Sequence, residues 1–356
     1  MSEATTDRQD QLQMRLTVLK AENPNIRFRD AADRLGVSEA ELLATDCGGK
    51  VTRLRPKFQD ILGGFAALGT LKGITRNEDV VHEKEGEYEN LSFHANGRMG
   101  MFVNERIDQR LFMHHWAKAF AVEDEIKGKR RLSVQFFGKD GTALHKAFST
   151  HATDMDAFDA LIARFRAEDQ SAAEPVEAAP GGQSEVLPDE SIDREGFQQA
   201  WRALQDTHDF HFMLRNYKLD RQQALRLAPE GFTRPLPVDS LPCLMEGMRD
   251  AGLNIMVFVG NPGVVQIHSG PIKKLVRMEP WYNVLDPGFH LHIREEAINA
   301  IWVVRKPTEK GIVTGIECFN AAGELIITFF GKRKAGESEM PAWRKLVEQL
   351  EQELAG

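Results

Sequence analysis

Over residues 132–148, LSVQFFGKDGTALHKAF, apolar and polar positions alternate, break at a glycine and alternate again. A period of two interrupted by a glycine turn predicts a β-hairpin. Residues 314–330, TGIECFNAAGELIITFF, repeat the pattern. In VFVGNPGVVQI, residues 257–267, two apolar runs flank an Asn-Pro-Gly turn and predict another hairpin. Helical spacing appears in MDAFDALIARFRAE (155–168) and MPAWRKLVEQLEQEL (340–354), which are expected to close two runs of strands. The stretch RALQDTHDFHFMLRNYKLDRQQALRLA, residues 202–228, also reads as helix. At a spacing of three, its His208 and His211 share a face.

The two hairpin segments are counterparts. Gly141 and Gly323, and Phe137 and Phe319, are each 182 residues apart. RLFMHHWAKAFAVE (110–123) aligns with HIREEAINAIWVVR (292–305) at the same offset. So do DRLGVSEAELLA (33–44) and RNYKLDRQQALRLA (215–228), with Val37 opposite Leu219. A constant offset over three blocks indicates an internal duplication. Strands grouped apart from helices predict an α+β fold, each half carrying a large antiparallel sheet flanked by helices. Residues 167–196 are rich in Ala, Glu, Pro, Gly and Ser without a periodic apolar face, the composition of a linker. The expected domains are therefore residues 1–166 and 197–356.

Composition narrows the function classes. A length of 356 residues suits two domains with sizeable cores. A net charge of −8 is a poor match to a nucleic-acid coat. The opening MSEATTDRQDQLQMRL lacks a basic stretch followed by an apolar one, so no signal peptide is expected. No apolar run reaches membrane-spanning length, so no membrane insertion is expected. Cys47, Cys243 and Cys318 lie far apart, which argues against a disulfide framework or a thiolate zinc site and for a reducing cytoplasm. The GNPG and GG tracts open no phosphate-cradling helix and read as turns.

The duplication, the linker and the THDFHFMLRNYKLDRQQAL segment together resemble the HemS/ChuS/HmuS family of bacterial cytoplasmic haem-handling proteins. The resemblance extends through RNEDVVHEKEGEYENLSFHANGRMGMFVN, DQRLFMHHWAKAFAVE, IMVFVGNPGVVQIHSG and AIWVVRKPTEKGIVTGIECF, nearly the whole chain. It implies two similar halves related by a pseudo-twofold, and one b-type haem held with the C-terminal half. It implies one of two activities. The first is carriage of haem to an acceptor such as a haem oxygenase, or exchange with a haem-transport partner, within iron acquisition. The second is haem oxygenase-like opening of the porphyrin ring with external electrons.

The resemblance also assigns residues. His208 matches the proximal iron ligand, a role for which neutral imidazole is well suited. Its second ring nitrogen needs an acceptor, either Asp206 or a backbone carbonyl. His211, one turn on, is an alternative iron ligand or a polar rim residue. Arg110 matches the distal arginine, whose fixed N–H donors suit a bound water, dioxygen or peroxide. On a strand Phe112 points to the same side as Arg110, where it can pack on the porphyrin, and Leu111 points to the other. Arg221, Lys306 and Arg333 match positions facing the haem or its propionates. Met256 is a candidate lining residue. Phe330 departs from relatives that carry tyrosine there; it cannot donate to a propionate, leaving that contact missing or taken over by Lys332 or Arg333. The counterpart of Arg110 is His292 and that of His208 is Ile26, so one haem per chain is expected. His82, His94, His114, His115 and His151 are expected to be structural or surface residues, His114 and His115 pointing to opposite faces of a strand.

Overall fold

The structure is a computed structural model describing residues 3–178, 187–333 and 336–353. Its elements run in two matching series. The first comprises α1 (Glu3–Glu22), α2 (Phe28–Leu35), α3 (Glu39–Ala44), β1 (Val51–Arg53) and α4 (Phe58–Gly64). Eight strands follow: β2 (Gly69–Arg76), β3 (Val80–Glu87), β4 (Ser92–His94), β5 (Met99–Val103), β6 (Asp108–Phe112), β7 (Lys118–Ile126), β8 (Lys129–Phe137) and β9 (Ala143–Thr153). Helix α5 (Met155–Phe165) closes the series. The second repeats it with α6 (Arg194–Arg202), α7 (Asp209–Tyr217), α8 (Arg221–Leu227), β10 (Thr233–Leu236) and α9 (Ser240–Asp250). Its eight strands are β11 (Ile255–Gly260), β12 (Val264–Gly270), β13 (Leu275–Met278), β14 (Trp281–Asp286), β15 (Phe289–Arg294), β16 (Ala300–Thr308), β17 (Gly311–Phe319) and β18 (Leu325–Gly331), and α10 (Pro341–Glu353) closes it. The fold is thus α+β, with two nine-stranded sheets ordered β1-β7-β8-β9-β2-β3-β15-β14-β13 and β10-β16-β17-β18-β11-β12-β6-β5-β4. Exchanging every strand for its counterpart in the other half converts one order into the other.

The duplication survives in local detail. Gly36 ends α2 with φ +69° and Lys218 ends α7 with φ +54°, both left-handed. Two residues on, Ser38 caps α3 and Asp220 caps α8, each side chain accepting a backbone N–H in the first turn. This corrects the reading of residues 202–228 as one helix. The segment contains the last residue of α6, a turn, α7 and α8, because the left-handed residue at 218 stops α7 before Asp220 starts the next helix.

Two compact units emerge: Met1–Arg76 with Glu83–Gly181 and Asn261–Gln266, and Asn77–His82 with Gly182–Gly260 and Ile267–Gly356. In the first, α4 and α5 supply Ile61, Leu62, Phe158 and Leu161 to a core with Leu71, Val134, Phe136 and Ala147 of the sheet. In the second, α9 and α10 cover one sheet face, where Leu244, Met248, Trp343 and Val347 pack on Val257, Val303, Ile316 and Phe329. Helices α6, α7 and α8 cover part of the opposite face, with Trp201, Phe210, Leu214 and Leu225 against Val304 and Phe319. Residues 179–186 of the predicted linker lie outside the described residues. Before them, Arg53 donates to the carbonyls of Ser171 and Ala173 at 2.8 Å each, so this stretch is tied to β1.

A buried polar network runs through the first unit. His145 stands 2.9 Å from the Thr75 hydroxyl through Nδ1 and 2.8 Å from the Tyr88 hydroxyl through Nε2. Gln109 donates to Gln266 at 2.6 Å beside them. Burial pushes the imidazole down to about 3, so the native ring stays neutral where an unfolded histidine takes a proton. The contribution is complete above the ordinary histidine value and drains as pH falls from about 6.5 toward 3, by about 1.4 kcal/mol per pH unit. His145→Gln is expected to lower stability at neutral pH but flatten this acid dependence. Urea midpoints at pH 7.5 and 4.5 test it; parallel losses in wild type and variant would refute the assignment.

Candidate functional site

The second unit carries most of the predicted site residues, and His208, His211, Arg221 and Lys306 lie at or beneath α7. His208 immediately precedes the helix, and its side chain is 85% exposed. One oxygen of Asp206 accepts the His208 backbone N–H at 2.8 Å and lies 2.6 Å from Nδ1 of the ring. The ring is therefore held at one nitrogen while Nε2 faces outward. His211 lies in the first turn of α7 and is also exposed. Partial burial, then the charges of Arg215 and Arg221, lower its imidazole below the ordinary value and favour the neutral, ligating form.

Phe210, between the two histidines, points inward. It meets Trp201 edge-on at 4.7 Å between ring centroids. Lys306 Nζ lies 4.3 Å from the Phe210 centroid and the Arg221 guanidinium 5.4 Å from it. Both cations share Glu317, which Arg221 grips with two bonds of 2.7 Å and Lys306 with one of 2.9 Å. Glu317 is fully buried. Burial alone would raise its carboxyl, but Arg221 and Lys306 overcome that and hold it at about 2. Burial pulls the Lys306 ammonium down to about 8. Arg221 and Lys306, expected from sequence to face a ligand, thus form a charged base under α7. Glu317 escaped sequence reading, although a lone acid in the apolar run GIECF is its signal.

The first unit has a counterpart with the signs reversed. Glu39, 182 residues before Arg221, opens α3 and accepts from Lys146 at 2.5 Å and from Arg76.

Beyond the helices the same sheet face carries a half-buried apolar strip. Met256 stands opposite Phe330 in the β11–β18 register, and Phe258 meets the Phe330 ring edge-on at 5.4 Å. The Phe330 ring lies over Gly315, where an added Cβ would fall 2.5 Å from it. Glycine lets the aromatic lie close to β17. Arg333 follows β18, near enough to Asp206 to help lower its carboxyl, after the larger effect of the His208 backbone N–H.

Arg110 and Phe112 belong to the first unit, on β6. Leu111 between them is fully buried while they are half-buried, as alternation requires. Arg110 pairs with Asp108 and donates to the Gln109 carbonyl at 3.1 Å. Its counterpart His292, in the second unit, has Nδ1 2.6 Å from the Asn283 side-chain oxygen. Ile26, the counterpart of His208, packs on the apolar cluster of Leu12, Leu16 and Ala31. His114 and His115 do not point to opposite faces of a strand. Met113–His115 form a 3-10 turn and bring the two rings to 4.0 Å. His82 is fully buried, whereas His94 and His151 are exposed.

An exposed imidazole held at Nδ1, and a half-buried apolar strip on the sheet face that α7 also covers, suit a flat, iron-bearing ligand. Comparisons with known proteins carry the same direction. The Haemin-degrading HemS.ChuX domain matches residues 36–165 and again 218–350. The hemin transport protein HemS of Yersinia enterocolitica is 39% identical over 93% of this chain and 94% of its own. Holo-PhuS, a heme-binding protein from Pseudomonas aeruginosa, superposes with a TM-score of 0.93 at 42% identity, covering 96% of this chain and 98% of its own. ChuS, an E. coli heme oxygenase, does so with a TM-score of 0.85 at 35% identity, covering 95% and 99%. The chain belongs to the HemS/HmuS family.

Proposed function

We propose that this chain binds one haem b through His208 and carries it, in the cytoplasm, to a downstream acceptor such as a haem oxygenase, serving haem uptake and iron acquisition. The carrying observation is the His208 ring, fixed at Nδ1 by Asp206 with Nε2 turned outward. Met256 and Phe330 supply apolar contact for the porphyrin. Arg333 supplies charge to a propionate, because Phe330 has no hydroxyl to offer. Arg221 and Lys306 stabilise the base beneath α7 and add positive field. His211 is the alternative ligand used in release. Arg110 and Phe112 serve the distal face; Arg110 keeps N–H donors beyond those given to Asp108 and Gln109. The proposed domain division remains residues 1–166 and 197–356, with the ligand in the second.

The second reading is degradation of the haem, favoured by the heme oxygenase name of the related ChuS. Here the haem is substrate, electrons come from outside, and Arg110 orients the oxidant. Incubation of the haem complex with a reductant, with and without catalase, separates the two. A carrier loses its Soret band only without catalase. Bleaching that persists with catalase and yields a linear tetrapyrrole would establish the enzyme instead. In the same assay Arg110→Ala is expected to keep one haem per chain, change the ferric spectrum and slow bleaching severalfold. An unchanged spectrum and rate would remove Arg110 from the site.

No described helix is long and apolar enough to cross a membrane.

A further inference from the structure

Asp206 does more at the His208 turn than end a loop. Its Oδ1 is fixed by the His208 backbone N–H at 2.8 Å and meets the ring Nδ1 at 2.6 Å. A carboxylate only accepts hydrogen bonds, so Nδ1 donates and, in the neutral ring, Nε2 holds the lone pair. The ring is 85% exposed, so little packing orients it; the carboxylate does. An imidazole whose far N–H is given to an anion is a stronger donor to a metal and favours its more positive oxidation state. We infer that Asp206 is a positioning residue that selects the ligating tautomer of His208 and biases bound haem toward the ferric form. This rests on His208 as the iron ligand. It gives the carrier reading a specific device: ferric haem binds oxygen poorly, so a bias toward it protects haem in transit.

Two variants separate charge from geometry. Asp206→Asn keeps a side-chain oxygen for the backbone N–H and for Nδ1 but removes the anion, whereas Asp206→Ala removes both. In the haem-free chain, nitrogen NMR of the His208 ring is expected to report the Nδ1–H tautomer in wild type and a shift toward Nε2–H in Asp206→Ala. In the haem complex, Asp206→Asn is expected to lower the iron–histidine stretching frequency. It should also cut the preference for ferric over ferrous haem about tenfold, an upward shift of about 59 mV for a one-electron couple. A merely structural role for Asp206 would leave the Asp206→Asn frequency and potential where they were. That result overturns the inference while leaving the ligand assignment standing, provided His208→Ala abolishes the iron–histidine band. A band that survives His208→Ala overturns the ligand assignment and the inference together.

Discussion

Glu317→Gln is expected to lower stability by about 3–5 kcal/mol, the cost of leaving a buried ion cluster without its counter-charge. Arg221 and Lys306 both depend on this carboxylate, and Lys306 is nearly as buried as Glu317 itself. Glutamine matches the shape but offers one neutral acceptor to two cations. The loss is a large share of the 5–15 kcal/mol, roughly, that holds an ordinary protein folded. Wild type should show the matching acid dependence. The folded carboxyl sits at about 2, below its ordinary 4.5, so its contribution is present above 4.5 and drains as pH falls toward 2. A triple replacement of Glu317, Arg221 and Lys306 by apolar residues of similar volume is expected to recover most of the loss, since the cluster's desolvation then disappears with its charges. Urea denaturation of the three proteins decides the matter. A Glu317→Gln loss below about 1 kcal/mol would mean that water reaches the cluster and screens its charges.

The cluster also shows where sequence stopped being informative. The hairpin at 132–148, the closing helices and the 182-residue repeat are written in local periodicity, which side-chain direction on strands and helices enforces directly. Lys218 was not legible as a helix stop, because lysine gives no notice of a left-handed backbone. Its counterpart Gly36 does, so the repeat itself held the missing signal. Glu317 alternates with apolar neighbours and reads as solvent-facing. Only the packing of α6, α7 and α8 on that face makes it buried. His208 and His211 were visible as a pair, but not their difference: one stands before the helix, tied to Asp206, and the other in its first turn. Asn261 reads as part of the Asn-Pro-Gly turn, and Asn77 lies between β2 and β3. In the structure their side chains also donate to distant carbonyls, Asn77 to Gly260 and Ile326, Asn261 to Arg76 and Leu144. Such partners are set by tertiary neighbours that no local pattern names.

His208→Ala is expected to weaken haem binding by more than tenfold and to move the residual ligation to His211; the double variant with His211→Ala should lose the histidine-bound spectrum. His211→Ala alone should spare equilibrium binding and slow transfer to a partner oxygenase. The physical basis is how α7 is held. Phe210 is buried against Trp201 above the cation pair, and Met213 and Leu214 anchor the next turn. Sliding the whole helix would unseat all three. The ring of His208, on the turn before the helix, is free of such packing. On the proposed relay, exchange of one imidazole for the other is expected to use motion of the His208 turn, with His211 held on the packed helix to take the iron as His208 lets go. On that relay haem is expected to leave without its iron passing through bare solvent. Stopped-flow transfer from each haem-loaded variant to a haem oxygenase measures the step. Slower release from His211→Ala with an unchanged affinity supports the relay. Equal rates for wild type and His211→Ala would reduce His211 to a rim residue and remove the main structural argument for a carrier over a catalyst.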